Sequence, residues 1–127
     1  MPPSQANLAI AVTVDHDTVA AGAPLRITVT VRNGAPSPRT LSFTSGCATD
    51  YELLDAAGTV TATSDQMCAQ VITNRTLAAS DTLAEVHVLL RGRPGMPVVP
   101  PGAYRLRGVL LLAGTPVRSP AIPVQFR

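Results

Sequence analysis

Pro100–Ala113 reads PPGAYRLRGVLLLA, and this stretch decides the fold. Pro100, Pro101 and Gly102 form a stop and a turn: proline fixes φ and lacks a backbone donor, and glycine permits positive φ. A long strand pattern follows. Tyr104, Leu106, Gly108, Leu110 and Leu112 fall on one face by period two. Arg105, Arg107, Val109 and Leu111 fall on the other, so the second face changes from charged to apolar halfway along. Such a strand begins half-exposed and ends covered on both sides. Gly114–Thr115–Pro116 then turns the chain, and Val117–Arg118 begins a hairpin return. A helix is disfavoured, because Gly108 sits in mid-run and no capping box precedes it.

Working outward, the same signature recurs. Leu8, Ile10, Val12 and Val14 alternate with small residues in a strand over Asn7–Val14, which Asp15–His16–Asp17 breaks. Leu25, Ile27, Val29 and Val31 alternate with Arg26, Thr28, Thr30 and Arg32, giving one covered face and one wet face. Asn33–Gly34 is a turn signal. Further short strands are predicted at Arg39–Thr44, Tyr51–Leu54, Thr59–Thr63, Ala69–Thr73, Thr82–Leu90 and Ala121–Phe126. In Thr82–Leu90, Ala84, Val86, Val88 and Leu90 share one side, and Glu85 and His87 the other. Pro120 and Pro123 mark the last strand as an edge. The sum is eight or nine strands, with turns every 8–12 residues and no credible helix. The expected fold is all-β, an immunoglobulin-like antiparallel β-sandwich. It forms a single domain over 1–127, with 1–6 expected to be flexible.

Composition narrows the function classes. The 127 residues suffice for one hydrophobic core, and 46% of them are apolar, which excludes a disordered chain. Net charge is +2 and every basic residue is arginine, scattered without interleaved aromatics, so nucleic acid is excluded as a partner. No run reaches the length of a membrane span, and no cofactor motif is present. The N-terminus lacks the charged and apolar regions of a signal peptide. That fits either a cytoplasmic chain or one from which a signal has been removed.

Cys47 and Cys68 frame a turn-rich segment. An isolated pair in a small β domain suggests a disulfide and hence a periplasmic or extracellular protein; the alternative is two buried thiols in a cytoplasmic one. No catalytic machinery emerges. Asp15–His16–Asp17 reads as a solvated turn, since neighbours in a turn cannot all face one ion. Cys47 with His16 or His87 lacks any elbow motif of a nucleophile. Tyr104 reads as a core ring whose hydroxyl bonds the backbone, as in a tyrosine corner.

The order of pieces carries a resemblance. LRITVTVRN, RTLSFTSG, a YELLDAAGTV hairpin, RTLAASDTL and PPGAYRLRGVL follow one another from Leu25 to Leu112. This succession resembles the BsuPI family, the intracellular proteinase inhibitor domains of bacteria. The family shows LxxTVxN-like, TLxFxSGxxYDF-like and PPGxYxLxG-like strands; here AASD replaces its PGE-type turn. The resemblance implies a β-sandwich and inhibition of a serine proteinase. The cysteine pair departs from an intracellular pattern.

Two loops are the candidate partner-binding segments. Thr44, Ser45, Gly46, Ala48 and Thr49 surround Cys47 in a short loop at a strand end, where a disulfide would pin it. A pinned extended loop loses little entropy on entering a proteinase cleft. The second loop, 91–99, is stiffened by proline and offers Arg93, Met96 and Val98. The expected function is a non-catalytic protein-interaction module of the proteinase-inhibitor kind. The alternative is a structural or accessory β-sandwich subunit of a bacterial cell-envelope assembly.

Overall fold

In the computed structural model, which describes residues 7–92, 94–96 and 98–127, β-strands are the only regular elements. The strict alternation of Leu25–Asn33 makes it β3, the middle of a three-stranded antiparallel sheet. Its neighbours are β1 (Leu8–Val14) and β8 (Thr82–Leu89). Leu25, Ile27, Val29 and Val31 are fully buried, and Arg26 and Arg32 face water, as the period-two pattern requires.

Gly102–Leu110 is β9, the centre of the second sheet. That sheet runs β2 (Thr18–Val19), β11 (Ile122–Phe126), β9, β5 (Thr49–Leu54) and β6 (Val60–Thr63), with β10 (Val117–Arg118) paired to the end of β9. The change of face within β9 is present: Arg105 is exposed, whereas Gly108, Val109 and Leu110 are all buried. The two sheets pack face to face as a β-sandwich. They meet tightly at Val29 and Gly108, where a Cβ on the glycine would lie 2.9 Å from Val29 Cγ1. A ribbon of β4 (Arg39–Phe43) and β7 (Thr73–Leu77) completes the fold. The amide of Ala113 donates to the Ser42 carbonyl and joins this ribbon to the chain beyond β9.

Among the described residues eleven strands stand where eight or nine were expected. β2 and β10 are two residues each, too short to show a period. β2 pairs parallel to β11, so the sandwich is not antiparallel throughout. The expected strand at Ala69–Thr73 is displaced to Thr73–Leu77. The reason is the partner: β7 pairs with β4 only as far as Phe43↔Thr73, beyond which the β4 chain turns into the Cys47 loop. Ala69–Ile72 therefore has no strand to pair with, and its apolar pair Val71 and Ile72 lies exposed. In β8 the side bearing Ala84, Val86 and Val88 faces water, and Glu85 and His87 turn inward.

An ion cluster braces the outer face of the second sheet. The Glu52 carboxylate accepts from Arg107 Nε at 2.7 Å and from Arg118 Nε at 2.8 Å. Burial pushes the Glu52 carboxyl up, but the hydrogen bonds from Arg118 and Arg107 outweigh it and hold the group below its ordinary value of 4.5. A depressed folded-state value stabilises the fold above the unfolded value, and that contribution is lost as pH falls through the folded one. Glu52→Gln is therefore expected to lower stability at pH 7 by about 1 kcal/mol, since both arginines are partly solvated. The difference from the parent shrinks below pH 4.5, which urea unfolding at several pH values reads directly. A difference independent of pH would count against this account.

Candidate functional site

The chain leaves β4 at Phe43 and re-enters a sheet at Thr49, where β5 begins against Leu110 at the end of β9. The loop between is laced to the segment that follows β6. Cys47 and Cys68 form a disulfide with Cα atoms 5.5 Å apart, closing a span of 21 residues. This removes the free-thiol reading, and with it any nucleophile at Cys47. Around it, Gly46 N donates to Ala69 O at 2.8 Å, and Gln66 Nε2 to Thr49 O at 2.7 Å. Ser64 N donates to Asp50 Oδ1 at 3.0 Å. Gly46 is needed because a Cβ there would sit 3.3 Å from Ala69 Cβ. Leu111 N donates to Ala48 O, fixing the loop to the end of β9.

The candidate residues of this loop divide by burial. Thr44 and Gly46 are exposed, and Ser45 is half-buried with its Oγ accepting from Cys47 N. Ala48 and Thr49 are buried, which takes both side chains out of any contact surface. Thr49 is instead the hub of a polar brace between the sheets. Its hydroxyl contacts Glu85 Oε1 at 2.5 Å and His87 Nε2 at 3.0 Å. A hydroxyl has one proton, and a carboxylate only accepts, so the proton points to Glu85 and His87 presents Nε2–H. This is the wrong polarity for a base activating Thr49. The His87 ring packs edge-on to Tyr51 at 5.9 Å. Burial, assisted by the Asp50 charge, pushes the Tyr51 phenol up.

What the loop reading missed is the other half of the lacing. Ser64–Ile72 carries Met67 fully exposed, with Val71 at 60% and Ile72 at 76%. The signal was available: a bridge that pins Cys47 also pins the neighbours of Cys68.

The second candidate loop sits elsewhere. It leads into Gly102, so it lies at the opposite end of β9 from Thr49. Arg91 anchors its start, with its guanidinium 4.7 Å over the Phe126 ring and donating to Arg127 O at 2.7 Å. Val98 is 86% exposed. Met96 lines a groove of about 510 Å³ along the β6 edge, together with residues 60–65, so this groove leads towards the disulfide segment. Arg93 lies outside the described residues.

The remaining candidates resolve as structure. Asp15 Oδ1 accepts from Arg26 N, which holds its carboxyl below the ordinary value. Among the described residues no group of three or more His, Cys, Asp or Glu is placed to hold a metal ion. Tyr104 packs edge-on to Phe126, and its hydroxyl donates to Pro100 O at 2.7 Å, the backbone anchor expected of it. No described helix is long and apolar enough to cross a membrane.

Comparison with solved structures places the architecture. Spo0M, the sporulation control protein of Bacillus subtilis, aligns with a TM-score of 0.58 at 10% identity, over 95% of this chain and 49% of that one. The Pseudomonas fluorescens alkylpurine DNA glycosylase AlkC, bound to DNA containing an abasic site analogue, aligns at 0.57 and 16% identity, over 96% and 31%. A CARDB domain from Pyrococcus furiosus, in complex with di-metal ions, aligns at 0.51 and 14% identity, over 94% and 87%. The chain thus spans about a third of the glycosylase and half of Spo0M, and at these identities the likeness is one of fold alone. The sequence matches no curated protein. The family model described as intracellular proteinase inhibitor matches residues 12–115, from within β1 to the hairpin turn after β9, and so covers β2 to β9 and the laced loops: the chain belongs to the BsuPI family.

Proposed function

We propose that this protein is a non-catalytic module that binds and blocks a proteinase through the disulfide-laced loops 44–47 and 64–72. The observation that carries this reading is the pairing of exposed apolar side chains with a tied backbone. Met67, Val71 and Ile72 stand in water on one segment while its main chain is held by the disulfide, by Gln66 and by Gly46. Exposed apolar clusters mark interaction sites, and a segment ordered before binding loses little entropy on binding. Family membership supports the proteinase as the class of partner. The disulfide is compatible with an extracellular location, although the family is named for an intracellular one. We place the protein in the periplasm or outside the cell, where such a bond persists.

A second reading is a structural or accessory subunit of a cell-envelope assembly. It draws on β8, which presents Val86 and Val88, 57% and 48% exposed, on the outer face of the first sheet.

Titration of subtilisin, chymotrypsin and trypsin with the purified protein distinguishes the two. Stoichiometric loss of peptide hydrolysis by at least one enzyme is expected. The Cys47→Ser/Cys68→Ser variant is expected to lose about 3 kcal/mol of stability from opening its loop, and to inhibit at least about tenfold less well because the loop must then be ordered on binding. Full proteinase activity at micromolar excess of the parent protein would overturn the inhibitor reading and leave the accessory one.

A further inference from the structure

We infer that Met67 is the side chain that enters the partner's primary specificity pocket, and that the partner is an endoproteinase whose pocket is an apolar slot. This rests on the inhibitor reading above and names the contact residue and the class of enzyme.

Three observations single out Met67. Among the described residues it is the large hydrophobic side chain most exposed to solvent, at 100%. Its neighbours on both sides are tied: Gln66 donates its side-chain amide to Thr49 O at 2.7 Å, and Cys68 is bonded to Cys47. The segment Ser64–Cys68 belongs to no strand of the fold, so its main chain is not committed to either sheet. Val71 and Ile72 lie beyond the disulfide, next to β7, and are β-branched, which makes them stiff at χ1 and wide near the backbone. Methionine is long, unbranched and flexible, and it fills a deep apolar pocket without steric demand at its base. Gly46 and Thr44, on the loop bridged to this segment, are small and exposed.

Charge supports the choice of pocket. A trypsin-type pocket ends in a carboxylate, which a thioether leaves unpaired, whereas a chymotrypsin-type slot is apolar throughout. The geometry also explains how the segment survives as an inhibitor. Hydrolysis of the Met67–Cys68 bond would add one water, leaving a carboxylate on Met67 and an amine on Cys68. The fragment ending at Met67 contains Cys47, and the fragment starting at Cys68 is bonded to it. The nicked molecule therefore stays in one piece, with both new ends held at the cleft, where the reverse condensation releases the same water.

The test uses the full chain against chymotrypsin, subtilisin and trypsin, with three variants. The parent is expected to inhibit chymotrypsin or subtilisin and to spare trypsin. Met67→Ala is expected to weaken that inhibition by roughly 30-fold, the equivalent of one buried methionine side chain. Met67→Lys is expected to abandon the apolar-pocket enzyme and to inhibit trypsin. Arg32→Ala, on the water-facing side of β3, is expected to leave inhibition unchanged. Because Met67 makes no buried contact, thermal unfolding of its variants should match the parent. After prolonged incubation with the inhibited enzyme, any nicked protein should show a mass gain of one water and separate into two pieces only on reduction. Inhibition by the parent with Met67→Ala and Met67→Lys equally potent would overturn the assignment of Met67 while leaving the inhibitor reading in place. Inhibition of trypsin alone by the parent would overturn the apolar pocket. Inhibition of none of the three enzymes would overturn both readings together.

Discussion

Replacing Asn33 by alanine is expected to cost about 3–4 kcal/mol of folding stability. Asn33 ends β3 and is completely buried. Its Nδ2, with two protons, lies within hydrogen-bond distance of three carbonyls, those of Ser37 at 3.0 Å, Leu77 at 3.1 Å and Ala78 at 3.2 Å, so that one N–H is shared between two of them. Its Oδ1 accepts from Ala35 N at 3.0 Å. Its own backbone is engaged too, with Asn33 N donating to Asp81 O and Asn33 O accepting from Ser80 N. One side chain thus ties the loop after β3 to the turn between β7 and β8, and so ties the β4–β7 ribbon to the first sheet. Alanine leaves a buried amide and up to three carbonyls to find other partners, and each unmet group costs about 1–3 kcal/mol. Asn33→Asp should be no milder at pH 7. It keeps the shape but replaces two donors by an acceptor and sets a carboxylate against three carbonyl oxygens. Urea unfolding of both variants checks this, with the aspartate variant expected to recover part of its loss as the pH falls and the acid regains a proton to donate. A loss below 1 kcal/mol in the alanine variant would show that water replaces the amide there.

Asn33 also shows what the sequence states openly and what it conceals. As Asn–Gly after a strand it reads as a turn, and a turn does follow; nothing local reveals that the amide serves a segment 44 residues away. Alternation made β1, β3 and β9 legible, because each has a covered face and a wet one over enough residues to establish a period. The same rule locates the two faces of β8 without saying which is covered, and here Glu85 and His87 face inward because Thr49 receives them. β7 was hidden by its composition: NRTL carries one buried side chain, Leu77, whereas the more apolar Val71–Ile72 stays outside. The candidate loops were half legible. Cys47 drew attention to its own flanks, of which Ala48 and Thr49 prove to be buried structure. The exposed apolar side chains lie beside Cys68 instead, at the other end of the same bridge, where no strand period marks them.

The second large effect is expected at Gly108, where alanine should cost about 1–3 kcal/mol and valine more. The reason is not backbone conformation, since Gly108 is not among the glycines with positive φ. It is the distance between the sheets. A Cβ would lie 2.9 Å from Val29 Cγ1 and 3.2 Å from Val29 Cγ2, closer than carbon atoms pack. Neither side can retreat easily. Val29 is β-branched, confined at χ1 and fully buried at the centre of β3. Gly108 is held by its neighbours on both backbone groups, its N–H donating to Ser119 Oγ at 2.8 Å and its carbonyl accepting from Ser119 N at 2.9 Å. Ser119 is itself buried, so moving β9 away would strand a hydroxyl as well as open the core. The clash being with one side chain, it can be relieved from the opposite sheet. Val29→Ala alone should cost about 2–3 kcal/mol by leaving a cavity. Combined with Gly108→Ala, the new methyl occupies part of the space the valine vacated. The double variant should then be more stable than the sum of the two losses predicts by about 1 kcal/mol or more. Strict additivity in urea unfolding of the four proteins would refute direct contact as the source of the cost. Coupling of the expected sign would mean that the last glycine of the PPGAYRLRG strand sets how closely the sheets pack. It would also mean that Tyr104, Leu106 and Gly108 are one device: an anchor to Pro100, a core side chain and a point of close approach, in successive inward positions of β9.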